Sequence, residues 1–296
     1  MEILDGKKIA AEVKEEVRAK IEHLGEGARP GLTIVQVGED PASTVYIKSK
    51  VKMSAYCGIE SNHVHLPADI SEADLLQTLE QLGQDPDVHG ILLQLPIPKH
   101  IDQDRAIMTI KPEKDVDGFH PVSMGLLAAG KPRFVPCTPL GIRELLVRHG
   151  IEVPGKHLAV IGRSIVVGKP LSLLMMLKGD AANATVTVCH SRTKDIPAIT
   201  RTADIVVAAM GRPQFLTADM VKDGAVVVDV GINRVDDPSA KKGYRLVGDV
   251  DFDAVAEKAS FMTPVPGGVG PMTVAMLMAN TLTAYSLQVV ASNAAR

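Results

Sequence analysis

This chain predicts an α/β fold in two domains with mostly parallel sheets, and three observations carry that expectation. Strand-like apolar runs alternate with helix-like stretches along nearly the whole length, the order that builds parallel sheets from βαβ units. Aromatic residues make up 3% of the chain and Trp is absent, so Val, Ile, Leu, Ala and Met must form the core. Such a core suits strands covered by helices on both faces. A length of 296 residues leaves room for two domains of ordinary size.

In chain order, residues 5–24 have helical periodicity and 32–37 form a continuous apolar strand. Asp40 followed by Pro41 is a helix start, and Cys57-Gly58 a stop. A short strand is expected at 64–66, a capped helix from Ser71-Glu-Ala-Asp74, and a buried strand at 90–95 that ends in Pro96-Ile-Pro98. Residues 111–139 are turn-rich, and Thr138-Pro139 opens a helix that Gly150 can close. The domain boundary is placed at 138/139. Beyond it, 157–161 is a strand that runs into a glycine turn, followed by Val-rich strands at 184–189, 205–209 and 226–230 and a shorter one at 246–250. Four or five parallel strands with a glycine turn after the first make the doubly wound, Rossmann-like nucleotide-binding pattern. The apolar stretch 272–290 carries Thr273, Asn280, Thr281, Thr283, Ser286 and Gln288, which suits a packing helix better than a membrane span.

Bulk properties narrow the function. A formal net charge of −3 gives no electrostatic case for nucleic acid. Cys57, Cys137 and Cys189 are odd in number and widely spaced, forming neither a zinc pattern nor a disulfide framework, which fits a reducing compartment. The N-terminal residues lack an apolar signal region, and the expected location is cytoplasmic.

Tyr46 and Lys50 lie four residues apart on the helix that Asp40 begins, so phenol and ammonium share one face. A lysine in a dry pocket is drawn toward its neutral form, which suits proton transfer. With Lys48 and Lys52 adjacent, the same pattern also describes a solvated helix face. In the second half, Gly162-Arg-Ser-Ile-Val-Val-Gly168-Lys-Pro170 follows a strand, and Gly162 allows a tight turn beside a diphosphate held at a helix N-terminus. Ser164 stands where the usual fingerprint has its second glycine. The tip of the next strand, Cys189-His-Ser-Arg-Thr193, lacks the acid that holds the ribose 2′-hydroxyl of NAD. Arg163, Ser191 and Arg192 can hold a 2′-phosphate instead, so NADP is the expected cofactor. His63 and His65 share a strand face without an evident third ligand, and Asp115/Asp117 lack the remaining ligands of a calcium loop, so no metal is expected.

Tyr46…Lys50, Gln94-Leu-Pro-Ile-Pro98, Asp115-Val-Asp117-Gly-Phe-His120, the Gly162–Pro170 turn and Thr263-Pro-Val-Pro-Gly-Gly-Val-Gly-Pro-Met-Thr273 occur in that order. Together they closely resemble the bifunctional methylenetetrahydrofolate dehydrogenase/methenyltetrahydrofolate cyclohydrolase family, the FolD proteins, over essentially the whole chain. The resemblance implies NADP-linked oxidation of 5,10-methylenetetrahydrofolate and hydrolysis of the methenyl product to 10-formyltetrahydrofolate. It implies a homodimer, a catalytic, folate-binding domain at 1–138 completed by a returning helix within 271–296, and an NADP-binding domain at 139–270. It also implies roles. Lys50 serves hydrolysis, Tyr46 stacks on or positions the folate, Gln94 holds Lys50, and Asp117 grips the aminopyrimidine. Gly268, Pro271 and Thr273 line the folate pocket, while Gly162, Arg163, Ser164, Gly168, Ser191, Arg192 and Ile232 meet the cofactor. Asp115 is left as structural. A short-chain dehydrogenase is the rival enzyme, but its Tyr-x-x-x-Lys follows the nucleotide turn, whereas here the pair precedes it. A folate- or nucleotide-binding regulator and a dehydrogenase with weak cyclohydrolase activity stay open.

Overall fold

In the computed structural model, which describes residues 1–25, 27, 29–240 and 243–294, the apolar run after Pro30 becomes the middle strand of a three-stranded parallel sheet. This strand, Gly31–Val37, is buried at every position, with Glu60–Leu66 on one side and Gly90–Leu93 on the other. Leu32 stands opposite Ser61 and Gly90, and the register continues through Val35 opposite Val64 and Leu93. The outer strand begins four residues earlier than its sequence suggests, because pairing rather than apolarity extends it. One core, with Val35, Val37, Leu75, Leu79, Ile91, Leu93 and Ala106, lies on this sheet.

Local signals fix the helices around it. Asp40 accepts from the Ser43 N–H at 2.7 Å, Pro41 takes the first turn, and Gly58 ends the helix Pro41–Cys57 at φ +78°. Ser71 caps Glu72–Gln84 through the Asp74 N–H at 3.1 Å. The segment expected to be turn-rich contains the helix Pro121–Ala128, at whose start the Val122 N–H donates to His120 Nδ1 at 3.0 Å. Histidine is not a usual N-cap residue, so that start has no strong sequence signal.

These elements, Ala11–Cys137 with Val274–Arg296, form one unit of the chain; residues 295 and 296 of the expected returning segment lie outside the described residues. The helix Val269–Ala294 supplies its last element. Asn280 Nδ2 donates to the carbonyls of Val116 at 2.8 Å and Val135 at 3.0 Å, and Gln288 Nε2 donates to those of His89 at 2.8 Å and Glu113 at 3.2 Å. Residues 269–290 are long and apolar enough to cross a membrane by length and composition. Met276, Leu277, Met278, Thr281 and Ala284 are nevertheless buried within the protein.

The other unit comprises Met1–Ala10 with Thr138–Thr273. Its six-stranded sheet runs Glu2–Ile3, Phe261–Met262, Val226–Asp229, Ile205–Ala208, His157–Ile161, Thr185–Cys189, and every pair is parallel. Ala159, Ile161, Val206, Ala208, Val227 and Met262 build its core. Two expectations are corrected here. Glu2–Ile3, expected within the first domain, pairs instead with Phe261–Met262 of this sheet, and the Leu4 N–H donates to the Met262 carbonyl at 2.9 Å. The strand expected at 246–250 is part of a separate antiparallel hairpin, Asn233–Asp236 with Tyr244–Val247, which pairs with no strand of the six-stranded sheet and has no fully buried position. A two-residue strand such as Phe261–Met262 leaves no periodicity to read.

Replacing Asn280 with Ala removes the side-chain donor to two buried carbonyls. The expected cost is about 1–3 kcal/mol of unfolding free energy in a urea titration; an unchanged midpoint would show that those carbonyls are satisfied without it.

Candidate active site

Helical spacing puts Lys50 one turn after Tyr46, and the structure buries Lys50 to 8% exposure while Tyr46 stays at 38%. Lys50 Nζ donates to Gln94 Oε1 at 2.8 Å. Gln94 follows the strand Gly90–Leu93 and is anchored by its own N–H on the Val35 carbonyl at 2.8 Å. Its Nε2 donates to the Leu95 carbonyl at 2.8 Å, which turns Oε1 toward the lysine. Asp117 is half-buried and shares this neighbourhood with Lys50 and the thiol of Cys137.

Each of these groups is pushed toward its uncharged form. Burial lowers the Lys50 pKa, opposed by the Asp117 charge, and burial raises that of Asp117, opposed by the charge of Lys50. The Tyr46 phenol is also raised by burial. An amine held partly desolvated on a neutral amide, with a carboxyl group beside it, gives up its proton more readily than an exposed lysine and so suits proton transfer. Cys137 carried no functional expectation, yet its thiol donates to the Val116 carbonyl at 3.5 Å and is buried beside Asp117. A cysteine between prolines at 136 and 139 gives no chemical signal of its own.

Asp115 fixes the turn that presents Asp117. Its carboxylate accepts from Phe119 N at 3.2 Å, His120 N at 2.9 Å and Ser123 Oγ at 2.6 Å. Gly118 completes the turn at φ +76°, where an added Cβ would lie 2.8 Å from Pro136 N. His63 and His65 stack at 5.7 Å, but His63 Nε2 meets Gln36 Oε1 at 3.1 Å and His65 Nε2 meets the Gly38 carbonyl at 3.0 Å. Among the described residues no group of three or more His, Cys, Asp or Glu is arranged to hold a metal.

The other unit gathers the remaining candidates. Gly162 ends its strand at φ +129°, where any Cβ would collide with the Ala209 carbonyl. Gly168 packs against the Gly162 carbonyl just as closely and starts the helix Gly168–Met175. Between them Ser164 braces the turn, its Oγ accepting from Val167 N at 3.1 Å and its carbonyl from Lys169 N at 3.0 Å. The Gly162 N–H donates to the Cys189 carbonyl at 2.8 Å, so the turns after two adjacent strands share one edge. Arg163 and Ser164 from one turn and Ser191 and Arg192 from the other are exposed there, with no acid at residues 190–193. Ile232, 45% exposed, follows the strand Val226–Asp229 in the same sheet. Gly268, Pro271 and Thr273 also belong to this unit. Gly268 has no room for a Cβ against Thr263 and the Pro264 carbonyl, and Thr273 Oγ1 lies 2.9 Å from Thr138 Oγ1.

A doubly wound sheet with a glycine turn at its carboxyl edge, carried in one chain with a buried lysine held by a glutamine beside an aspartate, defines a nicotinamide-dinucleotide-dependent α/β enzyme. Residues 4–117 match the catalytic domain of tetrahydrofolate dehydrogenase/cyclohydrolase, and residues 136–289 match the NAD(P)-binding domain of the same family. The chain belongs to that family. It is 56% identical over 289 residues to the bifunctional protein FolD of Chlorobium phaeobacteroides, covering 96% of this chain and 98% of the relative. The fold is similar to that of the bifunctional FolD enzyme of Campylobacter jejuni, with a TM-score of 0.91, 46% identity and coverage of 97% and 99%. It is also similar to the Trypanosoma brucei methylenetetrahydrofolate dehydrogenase-cyclohydrolase, a structure complexed with NADP and an inhibitor, at a TM-score of 0.90, 41% identity and coverage of 96% and 97%.

The buried Asp115 yields a pH test. Its pKa is raised to about 7, chiefly by burial, from an ordinary value of 3.8. Between those limits the folded chain keeps a proton that the unfolded chain has lost, so this group's contribution to stability falls as pH rises. The stability advantage of wild type over Asp115→Asn should therefore shrink between about pH 4 and about pH 7 in urea titrations. A constant difference across that window would mean that Asp115 ionises normally.

Proposed function

We propose that this chain oxidises 5,10-methylenetetrahydrofolate to 5,10-methenyltetrahydrofolate with NADP, then hydrolyses the product to 10-formyltetrahydrofolate. The observation that carries the hydrolytic half is Lys50 Nζ held at 2.8 Å by Gln94 Oε1 in a buried site beside Asp117. NADP, when bound, supplies the hydride acceptor. The protein fits that cofactor: Gly162 and Gly168 leave no Cβ where the chain packs tightly at the two ends of the turn, and Arg163, Ser191 and Arg192 are exposed where a 2′-phosphate needs donors. Gly162, Ser164 and Gly168 would bring backbone to the diphosphate, and Ile232 would supply an apolar contact.

Oxidation asks little acid–base help, since N5 and N10 of the folate push hydride from the bridging carbon; it requires orientation. In our reading Tyr46 stacks on the folate and Asp117 accepts two parallel N–H bonds from the aminopyrimidine. Hydrolysis then adds water to the cationic amidinium carbon, releases a proton and breaks one C–N bond. Lys50 is the group suited to handle that proton, because burial brings its amine closer to neutrality and Gln94 fixes its position without holding it charged. A homodimer and a cytoplasmic location complete the proposal.

Spectroscopic assays with methylenetetrahydrofolate and either NADP or NAD, then with methenyltetrahydrofolate alone, test the whole reading. NADPH formation with consumption of the methenyl compound is expected, and preferential use of NAD would overturn the roles given to Arg163, Ser191 and Arg192. Lys50→Met should abolish hydrolysis while folate binding persists; hydrolysis at the wild-type rate would remove Lys50 from the mechanism. Gln94→Glu would place a carboxylate on the amine, raise the Lys50 pKa and move the pH–rate profile of hydrolysis to higher pH.

A further inference from the structure

Two carboxylates that carried no sequence expectation lie buried where the second sheet ends. Asp249 is fully buried and Asp229 is 3% exposed. Asp249 Oδ2 accepts from the backbone N–H groups of Met210 at 2.7 Å and Gly211 at 2.8 Å, and its Oδ1 accepts from Asn233 Nδ2 at 2.8 Å. Asp229 Oδ1 accepts from Gly231 N at 2.9 Å and Asp249 N at 2.8 Å, and Oδ2 from Val250 N at 3.0 Å. Glycines make the packing possible, since a Cβ on Gly248 would collide with the Asp229 carboxylate and one on Gly231 with that of Asp249.

The loops tied this way follow neighbouring strands. Residues 209–211 follow Ile205–Ala208, and 230–232 follow Val226–Asp229, so both leave the carboxyl edge where doubly wound sheets bind dinucleotides. The first loop touches the cofactor turn directly. The Ala209 carbonyl is the atom that forbids a side chain on Gly162, and the Ala209 N–H donates to the Ile161 carbonyl at 2.9 Å. The second loop contains Ile232, and Asn233 comes next in the chain. With the adenosine end read at Ser191 and Arg192, the strands on the other side of the glycine turn face the nicotinamide half. Burying two carboxylates on amide donors alone is costly, and it gives a fixed geometry in return.

We propose that Asp249, seated by Asp229, is a positioning residue for the dehydrogenase step: it holds the 209–211 and 230–233 loops in the arrangement that accepts the nicotinamide half of NADP. The proposal rests on the cofactor reading above. It separates the two activities, because Lys50, Gln94 and Asp117 all belong to the other unit of the chain.

The test compares the full-length wild type, Asp249→Ala and Asn233→Ala, the second of which deletes only the bond to the later loop. The dissociation constant of NADP is measured by calorimetry, the KM for NADP in the dehydrogenase assay, and methenyltetrahydrofolate hydrolysis without NADP. Asp249→Ala should raise Kd and KM about tenfold and Asn233→Ala about threefold, with hydrolysis within about twofold of wild type. Unchanged Kd in both variants overturns the proposal, as does a parallel fall of NADP binding and hydrolysis, which marks a general structural defect. If Asp249→Ala does not fold, Asn233→Ala decides, and an unchanged Kd there is fatal to the idea. A wild type that binds no NADP overturns the cofactor reading and this inference together, whereas wild-type binding with unaltered variants overturns the inference alone.

Discussion

Buried charge held by neutral dipoles is the constraint on which both units depend. Lys50 gives its ammonium to a glutamine oxygen, and Lys114, 5% exposed, gives its own to the carbonyls of Asp85 at 2.6 Å and Leu82 at 3.3 Å. Asp115, Asp229 and Asp249 take backbone N–H, hydroxyl or amide donors. An ion pair would lock such groups in their charged forms; with dipoles as partners, desolvation outweighs the hydrogen bonds at Lys50, Lys114, Asp115 and Asp229 and shifts them toward the neutral form. Lys50 shows the usefulness of that balance, because its proton is held less firmly than on an exposed lysine. In Asp115 the same balance serves geometry, fixing the turn that carries Asp117.

Both units use parallel strands, whose carboxyl ends release loops on one side of the sheet. Gln94 occupies that position in the three-stranded sheet. Gly162, Ser191, Met210 and Ile232 follow the corresponding ends in the six-stranded one. Residues distant in sequence therefore meet because strand order, not chain order, sets their neighbours. The bond from Gly162 to Cys189 spans a whole helix of intervening chain.

Much of this was legible in the sequence because its signals are local. Asp40-Pro41, Ser71 and the Gly162 turn act within a few residues, and the Val-rich runs announce strands without reference to their partners. Long-range pairing defeated the same reading: nothing in Glu2-Ile3 points to Phe261-Met262, and the 246–250 run is apolar enough to pass for a buried strand. The candidate site divides similarly. Lys50, Gln94 and Asp117 stand out through their motifs, whereas Cys137, Asp229 and Asp249 acquire meaning only from what surrounds them. Burial, unlike residue type, is a property of the assembled fold.

The helix Val269–Ala294 starts among residues of the nucleotide unit and continues into the other unit, and the chain also changes units at 10/11 and 137/138. During synthesis this defers completion of both. While residues 11–137 leave the ribosome, the carbonyls of Val116 and Val135 must wait for Asn280, and the Glu2–Ile3 strand waits for Phe261–Met262. A nascent chain usually completes its first domain before the second is made. Here the three strands of the first sheet are made early, but the unit lacks the bonds from Asn280 until the last helix is translated.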